Sequence, residues 1–453
     1  MQESVDIYPK SYPMSIIRLD QSHLIHPVHS AADQEAPIVF TEGKGAVLRD
    51  IDGKEYLDGL ACLWNVHAGH GRRELAEAAA VQMRRLAYAT AYAGFTNEPA
   101  VRLADRLLRL AYPNLSGVYF TTGGAEANET AFKVARYFWR RQGMPSKTKV
   151  IARWHAYHGV TLAAMSATGI PAFHQMFQPV VPGFIHVTPS YPYRHSGSMA
   201  EAVEDAIRRE GPDTVGAVIA EPVIGAGGVI PPTPDYFPKV REICDRNQVL
   251  LIADEIITGF GRTGKWFGLE HWNVRPDIVT FAKGVTSAYL PLGGVMVSRE
   301  IHQTIQEAPP AERFMHAATY SGHPTCCAVG LANLDIFETE GLVDRARMMG
   351  DRLLAGLGSL RDLPQVGDVR GLGLMAGVEL VEDKRAKTPA IGLGARVIAE
   401  ARSRGLITRI RGGQTGDHPI GDTICLAPPL IVTNDQVDRI VEILEDSIRA
   451  AAA

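Results

Sequence analysis

The sequence predicts an α/β protein, with a large domain on a mostly parallel seven-stranded sheet and a smaller α+β domain. Between about residues 115 and 300, short apolar runs alternate with longer helical segments. Such runs are typical of strands that helices cover on both faces, and the alternation indicates right-handed crossovers. After about residue 330, fewer strand-like runs follow a long helical stretch, which indicates a second, smaller unit. The length of 453 residues agrees with two or three domains.

Seven apolar runs predict the strands of the large sheet. They are Val118–Phe120, Val150–Ala152, Ile185–Val187, Val215–Ala220, Val249–Ala253, Ile278–Phe281 and Gly294–Ser298. Ahead of them, Ala46–Gly59 predicts a β-hairpin in which Asp52-Gly53 supplies a positive-φ turn. A helix is expected over Arg73–Arg85, after the hairpin.

The smaller unit is predicted from the pattern near the C-terminus. We expect a helix over Pro324–Glu338, strand-like runs at Leu374–Leu380, Leu406–Arg409 and Thr423–Leu426, and a terminal helix from about Asp435. Residues 1–40 are expected to be irregular, with prolines at 9, 13, 27 and 37. The predicted division is therefore 1–70 contributing to the small domain, 71–330 as the large domain, and 331–453 as the small domain.

Composition and charge argue against several classes of protein. The net charge is −4, from 46 basic and 50 acidic residues, so no basic field favours nucleic acid. No run of eighteen apolar residues predicts a membrane helix, and the N-terminus does not read as a secretory signal. Five cysteines without CxxC spacing indicate reduced thiols and a cytoplasmic location. Cysteines and histidines are scattered along the chain, so no metal site is expected.

Two ionisable residues lie at the predicted ends of apolar strands. Asp254 follows the run Val249–Ala253, and Lys283 follows the run that ends at Ala282. Ligands of open parallel sheets bind outside the carboxyl ends of the strands. A desolvated lysine there has a lowered pKa and attacks carbonyl groups, and an aspartate can hold a cationic ring nitrogen. The alternative is a structural Asp254–Lys283 ion pair.

The segment around these two residues resembles the class III aminotransferases, pyridoxal-phosphate enzymes of fold type I. The resemblance rests on Asp254-Glu255, Gly259-Phe260-Gly261-Arg262-Thr263-Gly264, Pro276-Asp277 and Ala282-Lys283-Gly284, and it extends from the Asp52-Gly53 hairpin to an expected strand at Ala427-Pro428-Pro429-Leu430. It implies that Lys283 binds pyridoxal 5'-phosphate covalently and that Asp254 pairs with the pyridine nitrogen. It also places Ile256 and Glu221 beside the cofactor, although Glu221 is alternatively a turn cap or an ion-pair partner.

A glycine pair precedes a predicted helix in Val118–Arg136. Free N–H groups and the helix dipole make such an N-terminus an anion site, although a plain tight turn is the alternative. The helix is expected to bury Ala127, Ala131, Val134, Ala135 and Phe138. By resemblance, Gly123, Gly124 and Ala125 form the cup for the cofactor phosphate. Relatives commonly carry Ser-Gly-Ser at these three positions, so this chain lacks two hydroxyl donors.

A second phosphate donor is implied in the loop from His316 to Pro324. The loop resembles the family segment whose threonine reaches the phosphate in the neighbouring subunit, which assigns Thr319. The resemblance therefore implies a homodimer with shared active sites, alone or within a tetramer. The alternative is a Gly-Pro loop that only caps the following helix.

Other positions are assigned to the pocket by the resemblance. Tyr157 and His158 match the family residues against the cofactor ring, and Tyr157 also faces the substrate. The substrate pocket is expected to include Leu63, Trp64, Ala226 and Ile257. Without the resemblance, Trp64 would be assigned to the core and Tyr157 to ordinary packing. Arg409 matches a mobile arginine that binds carboxylates, with Arg411 or a solvated loop arginine as the alternative.

The resemblance implies ping-pong transfer of an amino group from a primary amine or ω-amino acid to a keto acid. Leu63-Trp64 with Arg409 is most similar to the ω-aminotransferases that use pyruvate. The alternatives are a 2-oxoglutarate-dependent enzyme for 4-aminobutyrate or ornithine-like donors, and a decarboxylating or mutase member. A non-catalytic protein that keeps the scaffold is a further alternative, against which Lys283 and Asp254 argue.

Overall fold

The structure is a computed structural model that describes residues 15–92 and 94–453, so Pro9 and Pro13 of the expected irregular segment lie outside it. The strands are β1 (Phe40–Lys44), β2 (Val47–Asp50), β3 (Glu55–Asp58), β4 (Leu115–Thr121), β5 (Lys149–Arg153), β6 (Phe184–Val187), β7 (Val215–Ala220), β8 (Leu250–Asp254), β9 (Ile278–Phe281), β10 (Gly293–Ser298), β11 (Val366–Gly371), β12 (Ala376–Asp383), β13 (Thr388–Pro389), β14 (Leu406–Ile407), β15 (Arg409–Arg411) and β16 (Thr423–Leu426).

The α-helices range from single turns to five turns. They are α1 (Ile16–His23), α2 (Ala61–Trp64), α3 (Arg73–Leu86), α4 (Glu98–Leu110), α5 (Gly124–Arg141), α6 (Leu162–Ala167), α7 (Glu201–Glu210), α8 (Tyr236–Arg246), α9 (Arg299–Gln306), α10 (Pro324–Thr339), α11 (Leu342–Gly358), α12 (Leu393–Ser403) and α13 (Asn434–Ala452). The helices predicted near residues 73, 324 and 435 are confirmed. No helix in the two described ranges is long and apolar enough to cross a membrane.

A seven-stranded sheet occupies the centre of the large domain and confirms all seven predicted strands. Its order is β4-β10-β9-β8-β7-β5-β6. The strands from β9 to β6 are parallel, whereas β10 runs antiparallel to both β4 and β9. Every residue of β7 is buried, because helices cover both faces of the sheet. The sheet is thus mostly parallel, as predicted.

Helix α5 lies against this sheet through the predicted apolar face. Ala127, Ala131, Val134, Ala135 and Phe138 are each at most 3% exposed, and they pack with residues of the sheet. Burial of a side chain the size of Val134 or Phe138 contributes about 1.5–3 kcal/mol to folding. The helix is therefore fixed on the sheet, and its N-terminus is fixed relative to the strand ends.

Two smaller sheets are built from the N-terminal hairpin and the C-terminal third. One has the order β1-β2-β3-β14, and its hairpin turn places Gly53 at φ +82. Within that sheet β14 pairs in parallel with β3, which joins residues far apart in the sequence. The other is antiparallel in the order β11-β12-β16-β15, with β13 beside β12. The β3–β14 pairing supports the predicted contribution of residues 1–70 to a small domain, and the domain boundaries stay a prediction.

Two strand predictions near the C-terminus are wrong. The run Leu406–Arg409 is not one strand: β14 pairs with the hairpin, and β15 begins at Arg409 and pairs with β16. Residues 427–430 form no strand. Pro428 and Pro429 have no backbone N–H to donate to a ladder, so continuous pairing ends at Leu426.

Candidate active site

The two ionisable residues at the strand ends lie at the same edge of the large sheet. Asp254 is the last residue of β8, and its register partner on β9 is Thr280, three residues before Lys283. Lys283 adopts φ +45, so the chain turns sharply as it leaves the strand. The structural ion pair considered as an alternative is wrong, because no salt bridge joins Lys283 to Asp254.

The carboxylate of Asp254 is held in a fixed orientation within the protein. The side chain is 2% exposed. Its Oδ2 atom lies 2.7 Å from Nδ1 of His158 and accepts a hydrogen bond from Nδ2 of Asn128 at 2.9 Å. Its Oδ1 atom accepts from the N–H of Ile256 at 3.2 Å. A buried carboxylate with such partners is suited to pair with a cationic ring nitrogen.

Lys283 has the surroundings of a reactive amine. Burial lowers the pKa of Lys283 to about 8, against the opposing effects of Asp254 and Glu221. Its Nζ atom lies 5.5 Å from the centroid of the Trp64 ring. More of this amine is therefore neutral at neutral pH than in an ordinary lysine, and nucleophilic attack on a carbonyl requires the neutral form.

Glu221 connects the two loops that flank Asp254. This carboxylate is 2% exposed and accepts from the N–H of Tyr157 at 3.0 Å and from the N–H of Gly225 at 2.8 Å. Burial raises the pKa of Glu221. The side chain thus caps these turns, as the alternative held, and in doing so fixes the backbone that carries Tyr157.

The N-terminus of α5 is open in the way an anion site requires. Gly123 is the N-cap, and no side chain caps the helix. A Cβ atom at Gly124 would lie 2.8 Å from Cδ1 of Ile256, so glycine is needed there for close packing. A Cβ atom at Gly123 would meet nothing within 4 Å. The neighbouring Thr122 donates both its N–H and its hydroxyl to Glu126, at 2.9 and 2.7 Å.

The indole of Trp64 forms an apolar wall beside Lys283. Trp64 is 1% exposed and belongs to a cluster that includes Ala226, Ile257 and the partly buried Tyr157. Leu63 lies outside this cluster and is 47% exposed, so its assignment to the substrate pocket stays a prediction. The wall places an aromatic face next to the reactive amine.

Arg409 is the arginine that lies at this wall. Its guanidinium carbon is 5.6 Å from the Trp64 ring centroid, and its charge lowers the pKa of Lys283. Among the described residues, its side chain has no hydrogen-bond acceptor and no carboxylate partner. Arg411 differs, because its guanidinium donates to the carbonyl of Gly412 and to Oε1 of Gln414, the latter at 2.8 Å.

Among the described residues, Thr319 has no hydrogen bond to the residues around Lys283. Its side chain is exposed, and its carbonyl accepts a hydrogen bond from the hydroxyl of Tyr88 at 2.6 Å. The same loop is anchored on α5 through His316, whose ring nitrogens lie 2.9 Å from Oγ1 of Thr130 and 2.8 Å from Nζ of Lys133. The loop therefore leaves Thr319 accessible to a second molecule.

Sequence reasoning missed Asn128. It is fully buried on α5, its amide donates to Asp254, and the same amide donates to the carbonyl of His158 at 2.6 Å. A usable signal was present, since Asn128 precedes Ala131 by three residues and Ala135 by seven, on the apolar face. A polar side chain there needs a buried partner, and that partner is Asp254.

These residues fit the cofactor that the resemblance implies. Among the described residues, Lys283 has no carboxylate partner, Asp254 is a buried carboxylate at the end of the neighbouring strand, and the N-terminus of α5 has no side-chain cap; these match an aldehyde, a ring nitrogen and a phosphate, respectively. Tyr157 and His158 lie at the same edge of the sheet as Asp254. Each predicted cofactor residue except Thr319 is therefore at this edge or at the start of α5.

Comparison with known proteins agrees with this geometry. The family model for class-III aminotransferases matches residues 28–448. Diaminobutyrate–2-oxoglutarate transaminase of Halomonas elongata is 40% identical, over 90% of this chain and 90% of that protein. Putrescine–pyruvate aminotransferase of Pseudomonas aeruginosa is 35% identical, over 96% of each. The crystal structure of the ω-transaminase of Pseudomonas jessenii in complex with PMP superimposes with a TM-score of 0.92, at 36% identity, covering 97% of this chain and 98% of that one.

Proposed function

The chain belongs to the class III aminotransferases, which are pyridoxal-phosphate-dependent enzymes of fold type I, and we propose that it transfers an amino group from a primary amine or ω-amino acid to pyruvate. The observation that carries the proposal is the unpaired guanidinium of Arg409 against the ring of Trp64, next to Lys283. One pocket thereby offers a cation for a carboxylate and an aromatic face for an apolar substituent.

Lys283 is proposed to bind the cofactor and to carry the proton between substrate and cofactor. When bound, the cofactor accepts the electron pair that deprotonation leaves at the substrate carbon. The lowered pKa of Lys283, about 8, suits a group that must both take up and release a proton near neutral pH. Lys283 follows the end of β9 by two residues, and ligands of open parallel sheets bind beyond such strand ends, which supports this role.

Asp254 is proposed to keep the cofactor ring nitrogen protonated. His158 and Asn128 hold its Oδ2 atom at 2.7 and 2.9 Å, so the carboxylate cannot rotate freely. Tyr157 is proposed to stack on the ring, and Glu221 holds its backbone. Gly123, Gly124 and Ala125 are proposed to bind the phosphate through backbone N–H groups, with Ile256 packed beneath.

The choice of pyruvate depends on the number of available cations. A five-carbon dicarboxylate such as 2-oxoglutarate needs a second cation for its distal carboxylate. Two arginines lie near Lys283. Arg409 has no hydrogen-bond acceptor within residues 15–92 and 94–453. Arg262 is fixed, because it donates to the carbonyls of Leu374 and Pro428 at 3.0 and 2.6 Å. One arginine without an acceptor favours a short keto acid, and the similarity to putrescine–pyruvate aminotransferase supports this choice.

A 2-oxoglutarate-dependent ω-amino acid aminotransferase is the second candidate. The 40% identity to diaminobutyrate–2-oxoglutarate transaminase favours it. The two candidates differ in which keto acid regenerates the enzyme, so they make opposite predictions for the same assay.

The test is a panel of amines with each keto acid. Purified holoenzyme is incubated with polyamines, ω-amino acids and aryl-alkyl amines, and alanine or glutamate is quantified. We expect alanine from pyruvate with at least one class of donor and much less glutamate from 2-oxoglutarate. Glutamate formation with every active donor, without alanine, would identify the second candidate. Consumption of substrate with loss of carbon dioxide would indicate a decarboxylating enzyme.

A further inference from the structure

A cluster of three metal-binding groups lies outside the residues assigned to the reaction. Asp58 ends β3, Cys62 lies in the turn that follows, and His70 comes eight residues later. Oδ2 of Asp58 is 2.9 Å from Nε2 of His70, and Sγ of Cys62 is 3.8 Å from the same nitrogen. One ligand atom from each residue lies within 4.8 Å of the other two. The sequence predicts no metal site, because these residues do not have the close spacing typical of metal ligands. Only the fold brings the three groups together.

The separations agree with one small thiophilic cation. Two ligands of a tetrahedral zinc ion, with bond lengths of about 2.0–2.3 Å, are about 3.3–3.6 Å apart. The observed sulfur–nitrogen separation of 3.8 Å and oxygen–nitrogen separation of 2.9 Å are both within a few tenths of an ångström of that range. A thiolate, an imidazole and a carboxylate are a ligand set for Zn²⁺ and not for Mg²⁺ or Ca²⁺.

The carboxylate of Asp58 can donate to a metal without releasing the turn that it holds. Its Oδ1 atom accepts from the N–H groups of Leu60 and Cys62, at 3.2 and 2.9 Å, and the N–H of Cys62 is shared with Oδ2 at 2.8 Å. Its Oδ2 atom faces His70, and the side chain of Asp58 is fully buried. If Oδ2 binds a metal ion, Oδ1 still accepts from both N–H groups of the turn.

The turn between Asp58 and His70 holds the ligands in an unusual backbone conformation. Ala61, Cys62 and Trp64 have φ values of +47, +54 and +57. Each such residue costs of order 1 kcal/mol or more, so the conformation persists because surrounding contacts impose it. The ligands are thus positioned before any ion arrives, and Cys62 remains exposed to solvent.

We propose that Asp58, Cys62 and His70 form a binding site for Zn²⁺, with water as the fourth ligand. On binding, the thiol of Cys62 releases its proton to solvent and its sulfur bonds the ion. His70 binds through Nε2 as the neutral tautomer that carries its proton on Nδ1, so His70 releases no proton. The proton of Cys62 is therefore the one proton released for each ion bound. Because binding releases a proton, the affinity for zinc increases as the pH rises.

The test measures metal binding by the holoenzyme in the absence of amine. Zinc is titrated against a chromophoric chelator, and the wild type is compared with Cys62→Ser and His70→Gln. His29→Gln is the control, because His29 is exposed and lies outside the cluster. We expect one ion per chain in the wild type and the control, and about tenfold or greater loss of affinity in each cluster variant. Mg²⁺ should not compete.

A spectroscopic and a thermal measurement identify the ligands independently of affinity. Cobalt(II) in the wild type should give a thiolate-to-metal charge-transfer band that is absent in Cys62→Ser. Zinc should raise the melting temperature of the wild type and leave that of Cys62→Ser unchanged. Equal zinc affinity in the wild type and both cluster variants, or a cobalt complex without the thiolate band, would overturn the proposal. Neither readout depends on transaminase activity.

Discussion

Arg409 and Arg411 lie two residues apart on β15, and their guanidinium groups have different surroundings. The side chain of Arg411 is hydrogen-bonded within its own loop, to Gly412 and Gln414. The side chain of Arg409 reaches the Trp64 ring and has no acceptor there. The sequence could not separate them, because residues two apart on a strand share a face. The contacts favour Arg409 as the carboxylate-binding residue.

Substitution of Arg409 tests that role. We expect Arg409→Ala to raise the KM for pyruvate at least about tenfold, which corresponds to loss of a charged hydrogen-bond pair worth roughly 1.5–3 kcal/mol. The half-reaction with an apolar amine should be nearly unchanged, because that substituent contacts Trp64. Arg411→Ala is the matched control and should leave the KM for pyruvate close to that of the wild type. A pyruvate-specific defect in Arg411→Ala would move the role to that residue.

The lowered pKa of Lys283 predicts the pH dependence of cofactor attachment. Attack on an aldehyde requires the neutral amine, and the neutral fraction increases as the pH rises through about 8. The rate at which apoenzyme binds pyridoxal 5'-phosphate should therefore be slow at pH 6 and level off above the pKa of Lys283. Stopped-flow absorbance measures this rate. A rate that rises only near pH 10, the ordinary pKa range of lysine, would show that burial does not lower the pKa of Lys283.

At the scale of elements, the strands were predictable and the connections less so. Buried parallel strands are continuous apolar runs, and these runs predict all seven strands of the large sheet. The segment Leu406–Arg409 was misassigned, because an apolar run does not reveal that the chain changes sheets within it. Asn128 was missed for a related reason, since its partner Asp254 lies on a strand that only the fold brings close.

The N-terminus of α5 gives a prediction about cofactor affinity. Gly123 has extended φ and ψ angles, −172 and 178, which any residue adopts, and a side chain there meets open space. We expect Gly123→Ser to lower the Kd for pyridoxal 5'-phosphate about tenfold, as one added hydrogen bond to a charged group allows. Gly124→Ser is the contrasting variant and should weaken binding, because its Cβ would meet Ile256 at 2.8 Å. Equal affinity of Gly123→Ser and wild type would place the phosphate elsewhere.

At the scale of the whole molecule, Thr319 is the predicted cofactor residue that one chain leaves apart from the others. It is exposed, and among the described residues it has no hydrogen bond to the residues around Lys283, so its predicted role would require a partner subunit. Several apolar side chains are exposed near that loop, and they include Tyr88, Tyr92, Phe95, Met315 and Tyr320. Such a patch favours an interface between two copies. The sequence suggested this arrangement through resemblance alone, since a single chain does not contain the contact.

Mixed dimers test the shared site. We expect Lys283→Ala and Thr319→Ala each to impair every site of their own homodimer. A heterodimer of the two should regain one site with both groups intact, and so about half of the wild-type activity per dimer. Co-expression with two affinity tags and tandem purification gives the heterodimer, and its size is verified by light scattering. Activity no greater than the mean of the two parents would show that Thr319 serves its own subunit.

The transfer to pyruvate is tested most directly by a single half-reaction. Holoenzyme is first converted to its amino form with an excess of amine, freed of that amine, and mixed with pyruvate or with 2-oxoglutarate. Absorbance measures how fast the cofactor is converted back to its pyridoxal form, and the alanine produced is quantified. We predict that pyruvate rapidly restores the pyridoxal form of the cofactor and yields one alanine per active site, whereas 2-oxoglutarate restores it slowly. Lys283→Ala should react with neither keto acid. Return with 2-oxoglutarate alone, with glutamate in place of alanine, would contradict the proposed acceptor.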